Sequence, residues 1–269
     1  VLGNQVGRKA VVWGAVLGTL PDLDVFLPYG GEVEAFTYHR GFSHSLFVHF
    51  LASPLIAWLI LKIHPQTQQY KTRWFLLVFL CLSTHAILDS FTVYGTQLMW
   101  PLTEYPFGIS NLFIIDPLYT LPLLIGLAFA LVPKISLSKA SRMNAFGIAL
   151  SSAYIVWSLI AKVLIDQKVE TALQERGISD ANYVSTPAPL NTLLWRIIVM
   201  SEEQYYEGYA SVFDDPKDVS LTAYSSSPEL LNDISSVWGV ERLQWFTKGF
   251  YSIRQQEDKV ILSDLRMGV

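Results

Sequence analysis

The chain reads as an α-helical polytopic membrane protein, with about five or more membrane helices, ending in a small α+β C-terminal extracytoplasmic domain. Three observations lead there. Only 16% of the 269 residues are charged and 51% are apolar, against about 25% charge in an ordinary soluble domain; the mean hydropathy is +0.34. The apolar residues gather into long runs over the first two-thirds, and charge returns after about residue 166. Lysine and arginine alternate between successive loops.

Taken in order, residues 10–20 are apolar and rich in small side chains (Gly14, Ala15, Gly18), then break at Pro21-Asp22-Leu23-Asp24. They are too few to span a bilayer, which takes about 20 residues. A half-span or tilted helix, packed closely through its small residues, is expected. Residues 46–63, 74–93, 112–132 and 144–165 each approach spanning length. The opening Val1-Leu2-Gly3-Asn4-Gln5-Val6-Gly7 reads as the end of an apolar helix, so a preceding segment is expected. These elements form a transmembrane metal-site domain over residues 1–166.

Residues 167–269 form the extracytoplasmic α+β domain. Its first stretch, 167–177, has helical amphipathicity. Strands are expected at 193–200 and 205–213, and at 243–253 and 259–265 around a hairpin turn, Gln255-Gln256-Glu257-Asp258.

Basic residues set the orientation. Arg8 and Lys9, then Lys62, Lys71 and Arg73, then Lys134, Lys139 and Arg142 occupy one set of loops. The alternate loops hold only Arg40 between Pro21 and Ser45, and no Lys or Arg between Tyr94 and Asn111. The positive-inside rule places the first set in the cytoplasm, as in a multi-pass protein of a bacterial inner membrane. Asp22, Asp24, His39 and His44 then lie outside, with His85 and Asp89 in the outer half of their helix.

The net charge of −4 comes with no basic stripe, which excludes a nucleic-acid partner. Cys81 is alone, so there is neither an intrachain disulfide nor a cysteine zinc knuckle. A metal must be held by His and carboxylate. His85 and Asp89 stand four apart on one helical face. A carboxylate within a span costs at least about 2.5 kcal/mol on insertion scales and marks a functional site. His39-Arg40-Gly41-Phe42-Ser43-His44-Ser45 suits a polar loop converging on something charged. Imidazole with carboxylate suits zinc, manganese or iron better than calcium. Three histidines and three aspartates exceed one tetrahedral zinc site, implying one or two ions or supporting carboxylates.

Asp22 and Asp24 follow a helix-ending proline, where capping is the simpler role for either one alone. Arg40 fits an anion clamp as well as it fits a snorkelling residue. Asp116, in Ile114-Ile115-Asp116-Pro117, suits an N-cap as well as a supporting role in catalysis. Tyr94, Trp100, Tyr105 and Phe107 suit an interfacial belt.

Pro21-Asp22-Leu23-Asp24, His39 to Ser45, and His85-Ala86-Ile87-Leu88-Asp89 together resemble the membrane-bound metal-dependent hydrolase family of the YdjM/YbcI type, over about residues 10–165. Asn191-Thr192-Leu193-Leu194-Trp195-Arg196 and Asp264-Leu265-Arg266-Met267-Gly268 resemble the extra C-terminal domain of one branch. The order of Asp, His and His-x-x-x-Asp is also similar, in spacing, to the zinc phospholipase C and P1-nuclease group. That group's later His and Glu ligands have no match here. The similarity to that group implies Asp24, His44, His85 and Asp89 as metal ligands, with His39 and Asp22 completing or supporting them. Together with the residue readings above, the expected metal ligands are Asp24, His39, His44, His85 and Asp89, with Asp22, Arg40 and Asp116 in catalysis.

The resulting expectation is an inner-membrane hydrolase that uses a divalent metal, zinc first and manganese as an alternative, to activate water against a phosphoester. A site at that depth would meet a membrane lipid or lipid-linked substrate. The rival is a non-enzymatic metal-binding or ion-transporting membrane protein. Residues 55–61, 75–80 and 123–131 are almost wholly apolar, which favours a one-sided site over a conducting path.

Overall fold

The computed structural model describes residues 2–202 and 204–267; Val1 and Gly268, on which the readings of the two chain ends partly rest, lie outside them. Two units emerge: Val1–Ser90 with Gly95–Gly108 and Pro117–Ile155, and Phe91–Tyr94 with Ile109–Asp116 and Val156–Val269.

The first unit starts with a short helix α1 (Gly3–Val6) and α2 (Lys9–Thr19). Pro21 opens a 3₁₀ turn, Pro21–Phe26, carrying both aspartates. Helix α3 (Glu32–Tyr38) and the short turn Phe42–His44 lead into α4 (Leu46–Ile63). Ser45 caps α4, its hydroxyl accepting from Val48 N at 3.3 Å. A 3₁₀ turn, Pro65–Tyr70, joins α4 to α5 (Lys71–Asp89). Ala57, Ile60 and Leu61 of α4 pack with Trp74, Val78 and Leu82 of α5 and Leu17 of α2. These positions recur at three and four residues, one face of each helix. Leu51, Leu55 and Leu59 of α4 are exposed, as suits a lipid-facing surface.

Helix α6 spans Pro117–Leu131 and α7 spans Leu137–Glu175. Among the described residues three helices are long and apolar enough to cross a membrane: Leu46–Ile63, Pro65–Asp89 and Leu137–Glu175. The expectation of five or more spans is met only to that extent. Helix α6 falls short because residues 112–116 stay outside it, Pro117 starts it, and Pro133 follows its end. Arg8 takes up carbonyls at and just beyond that end, donating to Ala130 O, Val132 O and Ile135 O.

The four-stranded sheet of the second unit runs β1 (Tyr183–Pro187), β2 (Leu194–Met200), β3 (Gln204–Ser211), β4 (Ser220–Ser225), antiparallel throughout and in sequence order. Ala161, Ile165, Val169, Ala172 and Leu173 of α7 pack on Trp195, Ile197, Val199, Ala210 and Val219. Just past the helix, Gly177 sits in the left-handed region with φ +71. Gly177 N donates to Gln174 O, and Ile178 N to Leu173 O, the Schellman pattern. Beyond the sheet lie α8 (Trp238–Phe246) and the hairpin β5 (Tyr251–Gln256) and β6 (Lys259–Asp264). The stretch expected as one strand over 243–253 is therefore half helix. Val240, Leu243 and Phe246 recur at helical spacing, and Lys248 and Gly249 break the chain at positive φ.

In the first unit, a Cβ on Gly147 would collide with Pro122 O, and one on Gly126 would lie 2.9 Å from Asn144 Cα. Helices α6 and α7 thus approach through glycine. Gly147→Leu is expected to cost about 1–3 kcal/mol, read as a lowered melting temperature of detergent-solubilised protein; an unchanged melt would refute close packing there.

Candidate metal centre

The site grows from one buried carboxylate. Alternation along the turn Pro21–Phe26 leaves the Asp22 side chain half exposed and that of Asp24 1% exposed. Asp24 is satisfied entirely by the histidine loop. Its Oδ1 lies 2.7 Å from His39 Nδ1, and its Oδ2 accepts from Arg40 N at 3.1 Å and from the Ser43 hydroxyl at 2.5 Å. Burial pushes the Asp24 carboxyl up, but the bonds from His39 and Ser43 prevail and hold it below its ordinary value.

The loop bends tightly to reach that carboxylate. Arg40 sits at φ +60, and a Cβ on Gly41 would lie 2.7 Å from Tyr38 O; no larger residue fits there. The segment 95–108 holds the loop from behind. Gln97 N donates to Arg40 O and Leu46 N to Leu98 O, while the Ser45 hydroxyl donates to Trp100 O.

Ser43 then sets the state of His44. Its proton goes to Asp24, so its oxygen accepts from His44 Nδ1 at 2.9 Å. That tautomer leaves the lone pair on Nε2, the form a metal requires. His44 is fully buried, and its Nε2 lies 3.0 Å from Asp89 Oδ2 and 3.4 Å from Asp22 Oδ1. Despite these short distances Nε2 makes no aligned hydrogen bond. From α5, His85 Nε2 lies 3.3 Å from Asp22 Oδ1 and 3.3 Å from Asp89 Oδ2. The His44 and His85 imidazoles beside it hold the Asp22 carboxyl well below the usual carboxylate range, so it is ionised at neutral pH. Arg40 Nε stands 3.4 Å from Asp89 Oδ2.

Four donor atoms, one each from Asp22, His44, His85 and Asp89, thus lie within 4.8 Å of one another and can hold a metal ion. The four His-to-Asp edges of this group run from 3.0 to 3.4 Å. Ligand atoms about 2.0 Å from a tetrahedral centre stand about 3.3 Å apart. A buried imidazole nitrogen, His44 Nε2, that makes no aligned hydrogen bond yet stands at ligand spacing from two carboxylates fits an ion better than a hydrogen-bonded cluster.

Of the residues expected as ligands, the structure groups His44, His85 and Asp89, and joins to them Asp22, expected in catalysis. Asp24 and His39 stand beside the group as a hydrogen-bonded pair. Arg40 is buried against Asp89. Asp116 is buried, belongs to the other unit, and is not among the grouped residues. Sequence reasoning passed over two supports. His49 sits one helical turn inside α4 and contacts the Ser43 carbonyl through Nε2 at 2.7 Å. Gln97 carried no signal, since its partners are backbone atoms distant in sequence.

The model of the YdjM inner membrane protein family matches residues 2–165. The chain belongs to the YdjM inner membrane protein family. The match takes in all four grouped residues and leaves most of the second unit outside it. The chain is also 24% identical over 214 residues to the uncharacterized protein YfhP of Bacillus subtilis (strain 168), an alignment covering 77% of this chain and 61% of that protein. No solved structure matches.

In this YdjM-family protein, His44→Ala and Asp89→Asn are expected to abolish bound metal, measured by elemental analysis of detergent-purified protein. Ser43→Ala is expected to keep the ion with about 10–100-fold weaker affinity. Full metal retention in the two ligand variants would sink the assignment.

Proposed function

We propose that this protein is a divalent-metal hydrolase of the inner membrane that cleaves a phosphoester of a lipid or lipid-linked substrate at the extracytoplasmic face. The observation that carries the reading is the set of four edges at 3.0–3.4 Å between two imidazoles and two carboxylates. Two nitrogens and two oxygens favour zinc, with manganese next. A divalent ion held there supplies a Lewis acid for a phosphoryl oxygen and acidifies water.

The remaining steps fall to the chain's own residues. The bond to Asp24 fixes the proton of His39 on Nδ1 and makes Nε2 its basic nitrogen. The His39 side chain is 21% exposed, and its ring centroid lies 6.1 Å from that of His44. His39 is thus placed to take a proton from water, with Asp24 steadying the imidazolium that results. Arg40 orients Asp89 and adds positive charge beside an anionic substrate. Asp22, half exposed, marks the side from which substrate enters. Asp116 has no role in this reading.

Two features support the address. Within the first unit the ligands come from the start of α4 and the end of α5, one end of an antiparallel pair. That end carries few basic residues, whereas the Pro65–Tyr70 turn is flanked by Lys62, Lys71 and Arg73. A cysteine at Glu104 is expected to react with a membrane-impermeant maleimide in intact cells and one at Gln66 only after lysis. The reverse pattern would invert the topology.

Activity is tested on metal-loaded protein with phospholipids and lipid phosphates, following headgroup or phosphate release. Chelation is expected to abolish turnover. His39→Ala should lower kcat by about 10²–10⁴-fold with metal content unchanged. If His39→Ala lost metal instead, the base assignment would fail. A metal-loaded protein inert on the whole panel would leave metal binding alone as its role.

A further inference from the structure

We propose that the second unit carries a separate binding site for an apolar chain ending in an acidic oxygen head, held by Arg196. The site begins with strand β2, Leu194–Met200, where a single arginine interrupts an otherwise apolar run. Trp195, Ile197 and Val199 face the α7 core. By the two-residue period of a strand, Arg196 points to the opposite face. Its cross-strand neighbours, Thr186 of β1 and Tyr209 of β3, join it in lining a cavity of about 570 Å³. Such a volume lies within the range of small-molecule sites. Every lining residue belongs to this one unit.

The walls are apolar, with Val93, Leu112, Phe113, Ile114, Pro189 and Met267 among them. Ile114 is 64% exposed and Met267 48%, so an apolar chain can enter across an apolar lip. Arg196 is 8% exposed. Two of its nitrogens are committed: Nε donates to Glu207 Oε1 at 2.5 Å and Nη1 to Leu265 O at 2.6 Å. Nη2 is buried and has no hydrogen-bond partner among the described residues. A buried guanidinium donor calls for an acceptor, and a ligand oxygen in the cavity supplies one.

Charge selects the head. Glu207 offsets Arg196, and Asp264 pairs with Arg266, the other lining arginine. One directed donor within balanced pairs suits a single acid group rather than a polyanion. A fatty acid and a lysophospholipid with a phosphate head share that chemistry.

Full-length protein in nonionic detergent is incubated with a long-chain fatty acid, the lysophosphatidic acid of equal chain length, and the matching alcohol, and adducts are counted by native mass spectrometry. Retention of either acid, with the alcohol at least about tenfold weaker, is expected. The acid retained identifies the source. Arg196→Lys keeps a cation for Glu207 but removes Nη2. Ala188→Leu fills the cavity and leaves Arg196 in place. Each is expected to cut acid binding at least about tenfold. Metal-stripped protein should bind as well as loaded protein, which separates this site from the metal centre. No acid adduct above detergent background, an alcohol as tight as the acids, or binding unchanged in either variant overturns the proposal.

Discussion

The buried carboxylate of Asp24 is the constraint on which the geometry of the candidate metal centre depends. A carboxylate out of water is tolerated only when its oxygens are filled with donors. Here every donor comes from the seven-residue stretch His39 to Ser45: an imidazole, a backbone N–H and a hydroxyl. Satisfying Asp24 therefore dictates the path of that stretch, including the positive φ of Arg40 and the absence of a side chain at Gly41. The orientation of His44 follows through Ser43. Asp24 is thus the organiser of a site whose donor atoms lie elsewhere.

Division of labour between the two turn aspartates follows from local geometry. In a 3₁₀ turn, residues two apart point in different directions, and here Asp22 and Asp24 approach different nitrogens of His44, Nε2 and Nδ1. One is driven inward and becomes structural; the other stays half in solvent and faces the histidines. The regular helix α5 does the opposite, with His85 and Asp89 four apart on one face, delivering two donors from a rigid wall. A turn and a regular helix thus bring donors to the same point.

The sequence showed the site's ingredients more clearly than their roles. Histidine and aspartate at the ends of apolar runs were conspicuous because membrane segments exclude such residues unless they serve a purpose. Which aspartate joins the group that could hold an ion was hidden, since both sit in one Asp-x-Asp unit and only burial separates them. The strands β2 and β3 were legible from their aromatic and branched residues. Strand β1 contains Pro187 and small hydroxyl residues, and β4 is exposed along most of its length; both are strands because β2 and β3 offer them edges. Helix α7 joins two stretches expected separately, the apolar 144–165 and the amphipathic 167–177; the buried stripe of the second is supplied by a sheet that no local pattern announces.

The donors of the candidate centre come from three stretches far apart in the chain: the turn at Asp22, the loop at His44, and the end of α5 at His85 and Asp89. The turn and the loop meet through Asp24, but the end of α5 joins them only once the α4–α5 hairpin has closed. An ion captured there favours the assembled form over every partly inserted one. Loading would then double as a checkpoint on assembly: a chain with its hairpin misthreaded presents scattered carboxylates and imidazoles, while a correctly folded one would be cross-linked at the end of the hairpin opposite the Pro65–Tyr70 turn.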